Sequence, residues 1–257
     1  MKKSIILLTT LLFLTGCKIK TQPKDEYQIT KIRLYDSNGE ISSETFEYNN
    51  EGQVIQKVID DHINPVLTIS YEYDNLGSLV STTASDGTPE SSWGEEQSTY
   101  VNTYDEKNNL IEQKGSSEIF YFRNTRFNST QTFERDKNGN ILKEELIITD
   151  VNSGEQVSKN IDEYTYDNKG NVTILNSKDD SGTSIIKYEY DEHNNKIKEE
   201  IEFTPNGQDP EYTTKEYTNE YDEFGNLIKI TTKTISDNSP ETITYMEQEY
   251  QKVEKSE

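Results

Sequence analysis

The 257-residue sequence holds one cysteine, one tryptophan, two histidines and six prolines, and only 30% of it is hydrophobic. Each scarcity closes off a class of protein. The lone cysteine, Cys17, has no partner for an intramolecular disulfide. The two histidines, His62 and His193, stand over 130 positions apart, and no Ser-His-Asp spacing or glycine-rich phosphate loop accompanies them. Cations are few: 26 Lys and Arg against 48 Asp and Glu, a formal charge of −22. Such a surface repels a phosphate backbone, which excludes nucleic acid as a partner, and the acidic excess itself reads as solubility. Long apolar runs are absent except for residues 5–14, interrupted by Thr9 and Thr10 and too short to span a bilayer. Beyond that run no segment has helical periodicity.

So little apolar area would normally leave a chain disordered. What is abundant argues otherwise: 17 tyrosines recur with Ile, Val and Thr, the residues that suit a pleated, half-buried surface. They recur in a unit, Tyr-Asp-x-x-Gly-Asn-apolar, clearest at Tyr221-Asp222-Glu223-Phe224-Gly225-Asn226-Leu227. Other copies begin at Tyr35, Tyr48, Tyr73, Tyr104, Arg135, Tyr166 and Tyr190. From position 73 to 166 they start 31 residues apart, and the step from Tyr190 to Tyr221 is again 31, the mark of a repeat architecture. Each unit reads as a β-hairpin turn. The aromatic ends a strand, Asp bonds backbone two residues on, and Gly supplies positive φ for a type I turn with a bulge. Asn108 and Asn194 replace that Gly, and Asn is the commonest other occupant of the left-handed region. The turn-forming residues are thus Asp74 and Gly77, Asp167 and Gly170, Asp222 and Gly225, and their counterparts; the Asn after Gly is read as tolerating the same region.

The unit resembles the YD repeat of the RHS family of bacterial surface and secreted proteins, over roughly residues 27 to 250. It departs from that pattern at Arg135, at Asn49 and at the two Asn-for-Gly copies. The repeats are too few to enclose a domain, so the toxin-wrapping shell of the large family members is not carried over.

The N-terminus carries a second resemblance. Lys2 and Lys3, the short apolar run and Leu14-Thr15-Gly16-Cys17 resemble the signal peptide and lipobox of bacterial lipoproteins. The resemblance implies cleavage after residue 16, lipidation of Cys17 and a cell-envelope location held by acyl chains rather than by a spanning helix. Lys18 follows the cysteine, and without an Asp there the resemblance implies the outer membrane. Residues 17–26 read as a flexible tether, and 27–257 as the repeat domain.

Alternation then divides the strands into faces. Ile186, Tyr188 and Tyr190 share one face opposite Lys187 and Glu189; Ile197, Ile201 and Phe203 share one opposite Lys196, Lys198, Glu200 and Glu202. The charged face excludes a lipid-facing transmembrane barrel, whose exterior must be apolar. The expected fold is all-β: an antiparallel meander of consecutive hairpins, about 14 to 18 strands, coiled into one repeat sheet that is open or barrel-like.

Candidate ligand residues lie between the hairpins. Trp93 beside Glu95 and Glu96 offers an apolar face and acceptors for a sugar ring, or else plugs the end of the sheet. Tyr121 and Arg123 belong to the densest aromatic cluster, 120–127, readable as a binding surface or as core with a cation–π contact at Arg123 or Arg126. One carboxylate per turn falls far short of a calcium site, so neither metal nor cofactor is expected. The functional expectation is a lipid-anchored, non-catalytic binding or scaffolding protein with protein or glycan as partner. The alternatives are a carbohydrate-active enzyme using two carboxylates, which the sequence does not single out, and an accessory or immunity lipoprotein for a neighbouring RHS-type toxin.

Overall fold

The computed structural model describes residues 27–87, 95–119, 125–237 and 239–253. They form sixteen strands. The first eight are β1 (Tyr27–Asp36), β2 (Gly39–Tyr48), β3 (Val54–Asp60), β4 (Leu67–Tyr73), β5 (Leu79–Ser85), β6 (Glu95–Tyr104), β7 (Leu110–Ile119) and β8 (Thr125–Arg135). The second eight are β9 (Ile141–Asp150), β10 (Gln156–Tyr166), β11 (Val172–Lys178), β12 (Gly182–Tyr190), β13 (Lys196–Pro205), β14 (Glu211–Tyr221), β15 (Leu227–Ser236) and β16 (Ser239–Lys252). Each is antiparallel to its sequence neighbours, and β1 pairs with β16, so the meander closes into a barrel. Closure removes the exposed edges that an open sheet of this composition would present to other chains.

The two faces divide between lumen and exterior. On β6, Glu96, Ser98 and Tyr100 are buried while Gln97, Thr99 and Val101 are exposed. Strand pairing carries the buried face round the barrel: Ser98 lies opposite Thr82, and Tyr100 opposite Gly115. Its tightest part holds Ile69, Tyr71, Leu79, Ala84 and Tyr100, with a second cluster of Leu110, Phe133 and Ile141. The outer wall is charged. Lys159 meets Glu145 at 2.8 Å, Arg126 meets Glu118 at 2.8 Å, and Lys198 meets Glu200 at 2.7 Å. Such exposed pairs add little stability individually, but they make a wall suited to water. Outward aliphatics are flanked by polar partners across the ladder: Ile185 by Asn176 and Glu202, Val101 by Lys114, Ile243 by Lys233.

The face assignment needs one correction. Tyr190 pairs with Lys196 but Glu189 with Lys198, so a bulge leaves Ile197 as the extra residue. Lys196 therefore turns inward, its Nζ 5.1 Å from the Tyr188 ring centre and 5.5 Å from that of Tyr217, while Ile197 is exposed. Beyond the bulge the reading holds, with Ile201 opposite Ile186 and Phe203 opposite Ser184. One extra residue inverts the faces locally, which strict alternation does not anticipate.

The barrel has two unlike rims. Even-numbered strands return to the rim where β1 begins. There, turns starting at Asn49, Asp74, Asp105, Asp136, Asp167, Asp191 and Asp222 share one hydrogen-bond pattern. This near rim also receives the chain from residue 26 and the end of β16. The far rim carries the unequal connections, together with the Asp36 turn, the one Tyr-Asp copy placed there.

Candidate functional site

At each near-rim turn the first residue, an aspartate or Asn49, organises the backbone. The Asp222 N–H donates to the Asn226 carbonyl at 2.9 Å, and the Gly225 N–H to the Asp222 carbonyl at 3.0 Å, with Gly225 at φ +83°. Asp222 Oδ1 accepts from the backbone of Phe224 and Asn226, and Oδ2 accepts the Asn226 amide at 2.8 Å. The motif's Asn is therefore there for its amide. Positive φ belongs only to the preceding position, filled by Gly or by Asn108 and Asn194, at 61° and 63°. Asp105 repeats this with Asn109, and Asp136 with Asn140; these amides hold both carboxyls below the ordinary aspartate value. With their acceptors turned into their own turns, the aspartates have little left to offer a metal.

The tyrosines tie neighbouring hairpins together. Tyr48 donates to the Ile29 carbonyl at 2.7 Å, Tyr73 to Val54 at 2.8 Å and Tyr166 to Ile141 at 2.6 Å. Tyr190 donates to Val172 at 2.7 Å and Tyr250 to Leu227 at 2.8 Å. Each acceptor lies on the strand that precedes the tyrosine's own. Two positions vary the scheme. Asn102 and Asn219 take the carbonyls of Leu79 and Lys196 at 3.1 Å, freeing Tyr104 for Asp74 Oδ2 and Tyr221 for Asp191 Oδ2. In the remaining copy Arg135 replaces tyrosine; its Nε donates to Leu110 O at 3.2 Å and its Nη1 to Gly139 O at 2.9 Å. A ring of side-chain clasps thus runs round the near rim.

The lumen holds acids that alternation alone would have located. Asp162 precedes Tyr164 and Tyr166 on one face of β10, and it lies directly opposite Glu144 of β9. Burial raises both carboxyls above their ordinary values, and proximity to Asp162 adds to the rise at Glu144. Gln131 and Tyr164 donate to Glu144, and Asn160 to Asp162 Oδ2 at 2.9 Å, while the buried Asp162 Oδ1 has no partner. Glu199, also inward, is compensated: desolvation is outweighed by Lys215 at 2.9 Å and Lys196 at 3.0 Å, which lower its value.

Among the residues singled out from sequence, Cys17, Trp93, Tyr121 and Arg123 lie outside the described residues. Glu95 opens β6, its backbone paired with Ser85. Glu96 faces the lumen between Ala84 and Ile119, and burial pushes its carboxyl up to about 7. Asp74, Gly77, Asp167, Gly170, Asp222 and Gly225 stand at near-rim turns, on the opposite rim from the ends of β5 and β7. Arg126 faces outward to Glu118 rather than over a described ring, with Phe127 on the inner face.

No family model matches the chain, and no curated protein matches it. Among solved structures it is similar to a porin-like protein from Bacteroides uniformis ATCC 8492, with TM-score 0.56 and 12% identity over 87% of this chain and 98% of that one. What the two share is the fold, a closed antiparallel β-barrel. A porin-like protein from Bacteroides vulgatus ATCC 8482 is similar at TM-score 0.44 and 13% identity, again over 87% and 98% of the two chains. Likeness at such identity concerns the fold alone.

Proposed function

We propose that this is a lipid-anchored cell-envelope protein, held through Cys17 on the outer membrane, whose barrel is a non-catalytic binding or scaffolding module for a protein or glycan. The observation carrying the proposal is the charged outer wall. A bilayer-spanning barrel presents an apolar band about 25 Å tall, whereas this wall sets Lys187, Glu189, Lys198, Glu200 and Glu202 side by side on β12 and β13. A barrel of this kind sits in water and is carried by its tether. The chain joins β1 at the near rim, so the uniform turns face the membrane and the far-rim connections face the partner. Nine tether residues, 18–26, reach at most about 30 Å, enough to hold the barrel close to the leaflet without embedding it. The resemblance to YD repeats belongs to the same proposal: regular hairpins build the wall, and irregular connections vary the ligand.

Replacing Cys17 by Ser tests the reading by fractionation. A tethered barrel leaves the membrane without detergent, and an embedded one stays.

A second reading, a carbohydrate-active enzyme, is favoured by the directly opposed Glu144 and Asp162. Turnover of an envelope polysaccharide that Glu144→Gln abolishes would establish it.

A further inference from the structure

The one copy in which arginine replaces the clasping tyrosine borders a cleft of the near rim. This cleft, of about 280 Å³, lies between the Asp105 and Asp136 turns, lined among others by Lys107, Phe133, Arg135 and Lys137. Tyrosine would bring one O–H donor to this position; arginine brings five N–H donors in a planar fork. The clasp uses Nε and one Nη1 hydrogen, leaving the Nη2 edge without a protein acceptor among the described residues. The guanidinium is steadied 5.6 Å from the Phe133 ring centre. Lys107 and Lys137 form no ion pair among the described residues, although the chain carries nearly twice as many acids as bases.

Asp105 and Asp136 line the cleft too. Their oxygens, however, accept from their own turns: Asp105 from Lys107 N–H, Asn109 N–H and the Asn109 amide, and Asp136 from Asn138 N–H, Asn140 N–H and the Asn140 amide. Three cations thus meet two carboxylates that each already accept three hydrogen bonds from their own turns; Lys107 also acts on Asp105, and Arg135 on the half-buried Glu144. Arginine's fork matches an oxyanion bidentately, and lysines add point charge around it.

The geometry points to an oxyanion site in this cleft that takes a phosphate group, either of a membrane-lipid headgroup or of a free phosphate ligand. The lipid source rests on the anchored reading above, which turns the near rim towards the headgroups. The site itself rests only on the cleft and its cations.

The test uses the full-length Cys17→Ser chain and the same chain carrying Arg135→Tyr, which installs the residue the neighbouring repeats use and keeps a clasping donor. One arm measures co-sedimentation with vesicles of equal phosphatidylglycerol and phosphatidylcholine, against phosphatidylcholine alone. The other titrates purified protein with inorganic phosphate by calorimetry, with no membrane present, so a failed anchor leaves it readable. The expected result is binding in at least one arm, weakened about tenfold or more by Arg135→Tyr at unchanged melting temperature. Binding to phosphatidylglycerol vesicles assigns the lipid source, and binding to inorganic phosphate alone assigns the free one. Binding that survives Arg135→Tyr, or absence of binding in both arms, overturns the site.

Discussion

Ile29 and Tyr250 are cross-strand partners at the seam where the first and last strands meet. The Ile29 carbonyl accepts the Tyr48 hydroxyl of β2, and the Tyr250 hydroxyl donates to the Leu227 carbonyl of β15, so each seam strand is clasped to its other neighbour and the seam lies between two clasps, where a turn stands elsewhere on the near rim. Nothing in the ring marks where the chain begins and ends.

Tyr250→Phe and Tyr166→Phe should therefore cost alike, about 1 kcal/mol each, since both delete one hydroxyl and leave a half-buried carbonyl unpaired. Urea titration of the two variants checks this. A seam variant that unfolds the whole barrel while Tyr166→Phe is silent would mean that closure depends on β16 alone.

Gly225→Val should destabilise by about 2 kcal/mol, because Gly225 sits at φ +83° and a β-branched residue is strained there. Glu223→Val, at an exposed position of the same turn, should change little. Equal melting temperatures for the pair would refute the turn assignment.

This turn also shows what could be read from sequence and what could not. The hairpin order is written locally: Tyr221 ends a strand, Gly225 permits the bend, and Leu227 starts the next strand. The faces of β12 are equally local. Closure is not, because it is a pairing of Tyr27 with Lys252 across nearly the whole chain, and curvature leaves no mark on a period-two pattern. Lys196 and Ile197 exchanged faces for a related reason, a bulge invisible to alternation. Asp162 and Glu144 do not stand out in a sequence where acids abound, although the spacing from Asp162 to Tyr164 and Tyr166 puts Asp162 on the inner face. The role of Arg135 required the structure: only there does it stand as a clasp with donors to spare.

Stability should be greatest on the acid side of neutrality. The Glu96 carboxyl is raised from its ordinary 4.5 to about 7 by burial, so between those values the folded protein holds a proton that the unfolded chain has lost. Stability therefore falls as pH rises through that window. Glu144 and Asp162, also raised, act in the same direction. The turn aspartates act oppositely: Asp105 and Asp136 are lowered from 3.8, so the stability they contribute is present above that value and lost as pH falls through their folded values. Melting temperature against pH should rise from neutral towards pH 5 and collapse in stronger acid. Glu96→Gln should flatten the neutral side. A profile unchanged by that substitution would contradict the burial of a titrating Glu96.

Replacing Asp136 by Ala removes the acceptor for the Asn138 and Asn140 N–H groups and for the Asn140 amide, and should lower the melting temperature. Hydrogen exchange should show the loss confined to the Asp136 hairpin and its clasped neighbour, since each strand pairs only with the two beside it.

The most direct test of the water-facing barrel on a lipid tether is fractionation of Cys17→Ser beside the unaltered chain. The account predicts that the unaltered protein sediments with membranes and that the variant appears folded in the soluble fraction without detergent. A variant that remains in the membrane through high salt and alkaline carbonate would show the wall itself to be embedded, and the account would fail.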